Sequence, residues 1–232
     1  MPSAPDHTTN TLRVRSTGAL VEKIPSKFTG GHWAIRSPTA KNAFQNPMTS
    51  CKSVVLNPSD VVVDIGAYVG EYSLYAAKVA KRVIAYEAAP STYAVLRMNA
   101  RVNIDAHNLA VGGDDRDEVE LFLSTGIGAT NSIVKKKSES VTVAAINYDE
   151  AVEEATVVKI DVEGAEYDYD IIKENLRAII LEFHPMGDDW CEARKIMSEL
   201  VEAGFQPTVK IPEFKNGWDT NSAWVRGRSH YG

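Results

Sequence analysis

Residues 61–74, VVVDIGAYVGEYSL, indicate the fold of this chain. A short apolar run, VVVDI, precedes two glycines four residues apart, Gly66 and Gly70, and a helix-like segment follows from residue 71. Short apolar runs of this kind are typical of strands buried on both faces of a parallel sheet. Open α/β sheets bind ligands beyond the carboxyl ends of their strands, usually against the start of the first helix. The stretch therefore predicts both a buried strand and a ligand site.

The same alternation of apolar runs and helix-like segments continues downstream. The further runs are RVIAYE (82–87), HNLAV (107–111), VVKID (157–161) and AIILEF (178–183). The helix-like segments are 71–81, 91–103, 165–176 and 188–204, the last closed by Gly204 as its C-cap. This order predicts βαβ units and a mostly parallel, doubly wound α/β sheet. Two alternating segments, 118–124 and 140–146, predict antiparallel additions.

The region before residue 58 has a different character. Its signals are short and are broken by prolines and glycines, and the first ten residues carry no periodicity. We expect a small N-terminal extension at residues 1–57, with a frayed start, packed against one domain at residues 58–232.

Composition limits the classes of function. The chain has 44% apolar and 24% charged residues, which is typical of a soluble globular protein. Its net charge of -6 gives no overall attraction to nucleic acid, so such a role would need a local basic patch, for which KKK at 135–137 is the candidate. Two cysteines are too few for a disulfide framework, and no membrane span or secretory signal is visible. We expect a cytoplasmic protein without membrane contact.

The glycine turn does not fit a dinucleotide. That fingerprint is G-x-G-x-x-G, and its second glycine is replaced here by Tyr68. Asp64 would repel a pyrophosphate but would attract an ammonium or sulfonium group. Glu87 ends the second strand, where an acid can accept both hydroxyls of a ribose. A ribose and a positive centre occur together in S-adenosylmethionine, which we expect as the cofactor.

Five segments carry a family resemblance. They are DIGAYVGEYSLYAAK (64–78), VIAYEAAPSTYAVLRMNA (83–100), NLAVG (108–112), VVKIDVEGAEYD (157–168) and AIILEFHP (178–185). In this order they resemble the FkbM-type branch of the Rossmann-like methyltransferases, which implies a Rossmann-like methyltransferase fold. The chain departs from that branch at residues 146–149, where INYD replaces Leu-Asp-x-Leu, and at residues 174–175, where a glycine is usual.

The resemblance implies a set of cofactor residues. The turn at 64–70 would line the methionine side, Glu87 would take the ribose, and residues 108–110 would lie near the adenine. The predicted set is Asp64, Gly66, Ala67, Tyr68, Gly70, Glu87, Ala88, Asn108, Leu109, Ala110 and Asp161. Structural alternatives exist: the glycines could serve only a tight turn, Asp64 could cap a helix, and Glu87 could be a solvated strand end.

Candidate catalytic groups stand at two strand ends. Side chains alternate along a strand, so Lys159 and Asp161 share one face, and Glu182 and His184 share a face of the next strand. On neighbouring strands these four groups would converge. The predicted catalytic residues are Asp161, His184, Lys159 and Glu163.

Each candidate has more than one predicted role. Asp161 could accept a substrate proton or hold a hydroxyl or the methionine ammonium. His184 could be the base or a structural group, and Glu163 could bind substrate or cap the helix that starts near Gly164. Lys159 and Glu182 could form a buried ion pair.

Metal binding and aromatic walls are weaker signals. A metal could draw on Asp161, Glu163, His184, Asp188 and Asp189, but no spacing requires one, and we predict none. Pocket walls could come from Trp33, Phe44, Trp218 and Trp224, although core packing is the alternative for each.

The favoured hypothesis is an S-adenosylmethionine-dependent O-methyltransferase. The resemblance implies a hydroxylated acceptor that is a sugar, a glycoside or a natural-product-like small molecule. One alternative is an RNA methyltransferase that uses the Lys135–Lys137 loop on a ribose 2'-hydroxyl or a base. Others are a non-catalytic cofactor-binding partner protein and a nicotinamide oxidoreductase. The sequence leaves the oligomeric state open.

Overall fold

The structure is a computed structural model that describes residues 11–13, 20–24, 32–35, 49–124, 131–135, 138–185, 190–209 and 220–227. Several predicted features lie outside the described residues. They are the frayed start at 1–10, Phe44, Lys136, Lys137, Asp188, Asp189, Trp218 and the side chain of Trp33.

The elements alternate as the sequence predicts. In chain order, the strands of the described residues are β1 (Thr11–Arg13), β2 (Leu20–Ile24), β3 (His32–Ile35), β4 (Val61–Ile65), β5 (Arg82–Tyr86), β6 (Ile104–His107), β7 (Ala110–Gly112), β8 (Glu118–Leu123), β9 (Glu139–Asn147), β10 (Val157–Ile160), β11 (Ala178–Phe183), β12 (Phe205–Pro207) and β13 (Thr220–Arg226). The helices among them are α1 (Thr49–Ser53), α2 (Glu71–Ala76), α3 (Pro90–Asn99), α4 (Tyr148–Ala151) and α5 (Cys191–Glu202). A 3₁₀ turn spans Ala165–Asp168. Within the described residues, no helix has the length and apolar character needed to cross a bilayer.

A seven-stranded sheet forms the centre of the fold, with the order β12-β13-β11-β10-β4-β5-β6. Strand β13 pairs antiparallel with both of its neighbours, and the remaining pairs are parallel. From β4 the chain moves outward through β5 to β6, and it later returns to β10 on the other side of β4. The order of strands therefore reverses between β4 and β10. This confirms the predicted Rossmann-like, mostly parallel, doubly wound fold.

Two apolar layers cover the sheet. Val63 and Ile65 pack into one layer, and Val62 packs into the other, because successive side chains of β4 point to opposite faces. Cys51 and Val54, which precede the sheet in the chain, pack into the same layer as Val62. Strand β3 of the N-terminal three-stranded sheet lies against α3. The domain boundary at residue 57 stays a prediction.

Buried charge gathers at one edge of the sheet. Among the described acidic, lysine and histidine side chains, those buried near the carboxyl ends of the strands are Asp64, Glu87, Lys159, Glu166 and His184. Asp60 is buried as well, but it binds Arg177 near the start of β4. Because an unpaired buried charge is costly, a cluster of buried charged groups at the carboxyl edge is typical of a functional site.

The predicted antiparallel segments form a sheet of their own. Strands β7, β9 and β8 lie in that order, with β7 parallel and β8 antiparallel to β9. The prediction that these segments add antiparallel strands to the main sheet is therefore wrong, because they form a separate sheet. The antiparallel strand of the main sheet is β13. Residues 131–135, between β8 and β9, reach the carboxyl edge of the main sheet.

Three predicted elements differ from the structure. The helix expected at 165–176 is only the 3₁₀ turn, because Tyr169 and Ile171 are both buried two residues apart, a spacing typical of extended chain. The strand expected at 107–111 is split at Asn108. Helix α2 ends at Ala76 instead of residue 81. Gly204, with φ of 84°, follows α5 as the predicted terminal glycine.

Candidate active site

A glycine turn follows β4 and lies between the ends of β5 and β10. Gly66 has a φ of 75°, and a Cβ atom placed on it would lie 1.8 Å from the carbonyl oxygen of Asp161. Both the conformation and the space therefore require glycine. The backbone N–H groups of Gly66 and Ala67 donate to the carbonyl of Tyr86, and the N–H of Asp161 donates to Ile65. The turn is thus bound to both neighbouring strands.

Gly70 ends the turn and begins α2. Its φ is 90°, and a Cβ atom there would lie 2.6 Å from Cδ1 of Leu96. The structural alternative for the two glycines is therefore sufficient to explain them, and the turn they form stands at the switch point where α/β sheets bind ligands.

Asp64 lies beneath this turn and has 0% exposure. Its Oδ2 accepts a hydrogen bond from Ser73 Oγ at 2.6 Å, and its Oδ1 lies 3.4 Å from Lys159 Nζ. No described residue donates a hydrogen bond to Oδ1. This burial argues against the direct attraction of a ligand that the sequence predicts for Asp64.

Lys159 connects two carboxylates. Its Nζ lies 3.1 Å from Asp161 Oδ2 and donates to the carbonyl of Gly66 at 3.2 Å, in addition to its contact with Asp64. Burial alone would lower the pKa of Lys159, but the charges of Asp161 and Asp64 outweigh burial and raise it. Lys159 is therefore a fixed cation.

The predicted pair of Lys159 with Glu182 is wrong. The strand register places Lys159 beside Asp64 on one side and Ile180 on the other. Glu182 instead accepts a hydrogen bond from Asn221 Nδ2 at 3.3 Å. Of the four groups expected to converge, Lys159 and His184 both approach Asp161.

Glu87 is held rigidly at the end of β5. Its Oε2 accepts from the N–H of Tyr68 and its Oε1 from the N–H of Ala89, both at 2.9 Å. Burial raises the pKa of Glu87 to about 7, although these two hydrogen bonds oppose the shift. The alternative of a solvated strand end is wrong, because Glu87 is buried.

The backbone of Tyr68 positions the carboxylate of Glu87. Tyr68 has a φ of 52°, in the left-handed region that favours glycine, and this conformation presents its N–H to Glu87. Burial raises the pKa of Tyr68 well above its ordinary value. The residue that replaces the second glycine of the dinucleotide fingerprint therefore orients the carboxylate through its backbone.

The stretch predicted near an adenine holds the backbone of Glu87 and Ala88. Asn108 Nδ2 donates to the carbonyls of Glu87 and Ala88, at 2.9 Å each. Leu109 is half-buried against the core, and Ala110 is buried in β7. Ala67 is buried too, so Ala67 and Ala110 expose little surface to a ligand.

His184 lies buried at the end of β11 among three carboxylates. Its Nδ1 is 3.1 Å from Glu166 Oε1, and its Nε2 is 3.6 Å from both Asp161 Oδ1 and Glu163 Oε1. Burial opposes the charged form, but Glu166, Glu163 and Asp161 outweigh burial and raise the pKa of His184 to about 9. His184 is then protonated at neutral pH, which argues against its predicted role as the base.

Glu166, for which the sequence predicted no role, takes the capping role considered for Glu163. The N–H of Gly164 is bound by Glu166 Oε2 at 2.7 Å, so the alternative that Glu163 caps this turn is wrong. Glu163 has a φ of 57° and lies 3.5 Å from Lys135 Nζ. Its carbonyl accepts from Ser132 Oγ at 2.8 Å. The first lysine of the KKK run therefore lies at this site.

Sequence reasoning missed four supporting residues, which are Ser73, Ser132, Glu166 and Tyr167. Glu166 could have been suspected, since it is an acid beside Ala165 in the segment that carries the family resemblance. The contacts of Ser73, Ser132 and Tyr167 depend on tertiary approach and left no local signal.

Among the described residues, the carboxylates of the cluster outnumber its cationic groups by one. Four carboxylates (Asp64, Asp161, Glu163 and Glu166) face three cationic groups (Lys135, Lys159 and His184). In the described part of the chain, no three histidine, cysteine, aspartate or glutamate side chains are arranged to hold a metal ion.

Trp224 is buried in the core and donates to Ser222 Oγ, so it does not form a pocket wall.

Known proteins resemble the chain in sequence and fold. The model of the methyltransferase FkbM domain matches residues 64–207. The FkbM methyltransferase of Methylobacillus flagellatus KT is 14% identical with a TM-score of 0.50, over 74% of this chain and 44% of that one. This chain thus spans less than half the length of that protein.

Two other solved structures have lower TM-scores. The precorrin-6y C5,15-methyltransferase of Geobacter metallireducens GS-15 is 15% identical with a TM-score of 0.46, over 83% of this chain and 95% of that one. M. capricolum TrmK, in complex with S-adenosyl-homocysteine, is 9% identical with a TM-score of 0.47, over 78% of this chain and 69% of that one. No curated protein sequence matches the chain.

Because the family model spans more than half of the 232 residues, the chain belongs to the methyltransferase FkbM domain family.

Proposed function

We propose that this protein is an S-adenosylmethionine-dependent methyltransferase that methylates a hydroxyl of a sugar, a glycoside or a natural-product-like small molecule. Membership of the FkbM domain family supports methyl transfer. The observation that carries the cofactor assignment is Glu87, fixed by two backbone N–H groups beside the glycine turn at the switch point.

The residues of the turn fit this cofactor. Each oxygen of Glu87 accepts one backbone N–H, and a carboxylate oxygen has a second lone pair with which to accept a ribose hydroxyl. The excess of carboxylates over cationic groups among the described residues of the cluster favours a cationic sulfonium over a pyrophosphate. When bound, S-adenosylmethionine supplies an electrophilic methyl group.

Asp161 is the residue placed to take the acceptor proton. Its side chain is 28% exposed, against 15% for Glu163 and none for Asp64, so it is the carboxylate of the cluster that a substrate reaches most easily. Lys159 holds its Oδ2, which leaves Oδ1 to accept a proton from a hydroxyl. Glu163 is close enough to His184 Nε2 to orient the same hydroxyl. Methyl transfer depends mainly on such alignment.

Calorimetric titration tests the cofactor. We expect heat of binding from S-adenosylmethionine and from S-adenosylhomocysteine, and none from NAD. Preferential binding of NAD would end the proposal. A screen of hydroxylated small molecules with methyl-labelled cofactor then tests the acceptor. Transfer of label only to RNA would mean that the acceptor is RNA and not a small molecule. Cofactor binding without any transfer would favour a non-catalytic role.

Glu87→Ala is expected to weaken binding of S-adenosylhomocysteine by about 1.5–3 kcal/mol, since it removes hydrogen bonds to a charged group. Wild-type binding should also depend on pH. Only the ionised carboxylate accepts from both hydroxyls, and with a pKa of about 7 its ionised fraction falls about tenfold from pH 8 to pH 6. The dissociation constant should therefore rise by about tenfold over that range.

Calorimetry at pH 6, 7 and 8 measures both effects. Glu87→Ala should remove most of the pH dependence, whereas Glu153→Ala, at an exposed position, should bind like the wild type. A dissociation constant that is unchanged in Glu87→Ala would refute the ribose assignment.

A further inference from the structure

One turn of the chain holds both the ring and the backbone of His184. Glu166 Oε1 accepts from the backbone N–H of His184 at 2.7 Å and lies 3.1 Å from its Nδ1. The hydroxyl of Tyr167 donates to the carbonyl of His184 at 2.8 Å. Glu166 is fully buried, and its second oxygen is occupied by the N–H of Gly164. The ring is therefore fixed in orientation by a carboxylate that is itself fixed.

The surroundings of the ring determine where its protons lie. Nδ1 faces a carboxylate and must carry a hydrogen to bind it. Nε2 faces Asp161 and Glu163, both at 3.6 Å. A neutral ring would direct the lone pair of Nε2 at these two carboxylates, which is repulsive, whereas an N–H there is attractive.

Charged groups on the neighbouring elements agree with this assignment. The 3₁₀ turn contributes Glu166, and the segment after β10 contributes Asp161 and Glu163. Lys159 pairs with Asp161 at 3.1 Å, and Lys135 pairs with Glu163 at 3.5 Å. These two lysines weaken the field of the three carboxylates but do not reverse it. The raised pKa of His184, about 9, is consistent with this balance.

We propose that Glu166 is a positioning residue that holds His184 as an imidazolium, whose Nε2–H stabilises the acceptor oxygen while Asp161 takes the acceptor proton. This inference rests on the proposed function. The gaps of 3.6 Å on either side of Nε2 are longer than hydrogen bonds, so the donor has not been used up by either carboxylate.

The chemistry of the step balances. The hydroxyl proton of the acceptor passes to Asp161 Oδ1, the acceptor oxygen forms a bond to the methyl carbon, and the bond from that carbon to the sulfonium sulfur breaks with its electron pair left on sulfur. Developing negative charge on the oxygen is stabilised by the fixed imidazolium. An imidazolium has no free lone pair, so His184 is not the base in this scheme.

Histidine NMR tests the protonation state without any turnover. The signals of His184 are those that disappear in His184→Gln. In the wild type we expect both ring nitrogens to stay protonated up to pH 8 and to titrate near pH 9. In Glu166→Gln the midpoint should fall by about one pH unit or more, because a charged partner of Nδ1 is lost. Asp168→Asn, an exposed residue of the same turn, should leave the midpoint unchanged.

Two NMR outcomes would overturn the inference. One is a neutral His184 ring at pH 7.5 in the wild type, and the other is an unchanged midpoint in Glu166→Gln. If Glu166→Gln fails to fold, the wild-type titration still decides the protonation state.

The pH dependence of kcat tests the role in turnover. Activity should fall as the pH rises through about 9, and in Glu166→Gln this alkaline limb should move to lower pH with little change in KM. An alkaline limb that stays in place in that variant would contradict the inference. Methyl transfer with a neutral His184 would contradict this inference but not the proposed function. Absence of cofactor binding would contradict the proposed function, and the protonation state measured by NMR would be unaffected.

Discussion

Asp161→Asn is expected to lower kcat by about 100-fold or more, the effect of losing a general base. Asparagine keeps an oxygen for Lys159 but has no site that takes up a proton at neutral pH. The fold and the affinity for S-adenosylhomocysteine should change little, because Asp161 is partly exposed and its carbonyl, which faces Gly66, is unaltered. Initial rates at saturating cofactor and acceptor, together with calorimetry, measure the two effects separately.

The matched control is Asp168→Asn, which makes the same chemical change at an exposed position of the adjacent turn. It should turn over like the wild type. If Asp161→Asn also turns over normally, the base is another group, and Glu163 is the next candidate because its Oε1 lies as close to His184 Nε2 as Asp161 does. Glu163→Gln would then show the large loss of kcat.

Much of the fold could be predicted from local pattern. Strands β4 and β11 begin and end where the apolar runs do, because a strand buried on both faces is apolar at nearly every position, and only Asp64 and Glu182 depart from that pattern here. Strands β12 and β13 were not predicted, since their apolar residues are few and because the pairing of β12 with β13 and of β13 with β11 is tertiary. The helix expected at 165–176 failed because burial of Tyr169 and Ile171 overrides helical spacing.

The sequence predicts which residues lie near one another at the site but not which of them form hydrogen bonds or ion pairs. Parallel strands bring their carboxyl ends to one edge, so alternation along two strands was enough to place Lys159, Asp161 and His184 together. Which carboxylate Lys159 binds depends on strand order and register, which local sequence does not encode. The role of Glu166 likewise depends on how the chain turns after β10, and no local spacing specifies it.

Lys159→Met is expected to lower the free energy of unfolding by about 3–5 kcal/mol, the cost of breaking a buried ion pair from one side. Methionine fills a similar volume, so the loss reflects charge more than packing. Asp64 would keep its hydrogen bond from Ser73 but would lose its cation in a site with no exposed surface. Urea denaturation of the wild type and the variant, in the absence of cofactor, measures the difference.

A second substitution separates charge from packing. In Asp64→Asn/Lys159→Met the uncompensated carboxylate is gone, and asparagine can still accept from Ser73, so at least half of the lost stability should return. Lys195→Met, at an exposed lysine of α5, should change stability by less than about 0.5 kcal/mol. A loss below about 1 kcal/mol for Lys159→Met, or no recovery in the double variant, would mean that Asp64 does not depend on Lys159 for its charge compensation.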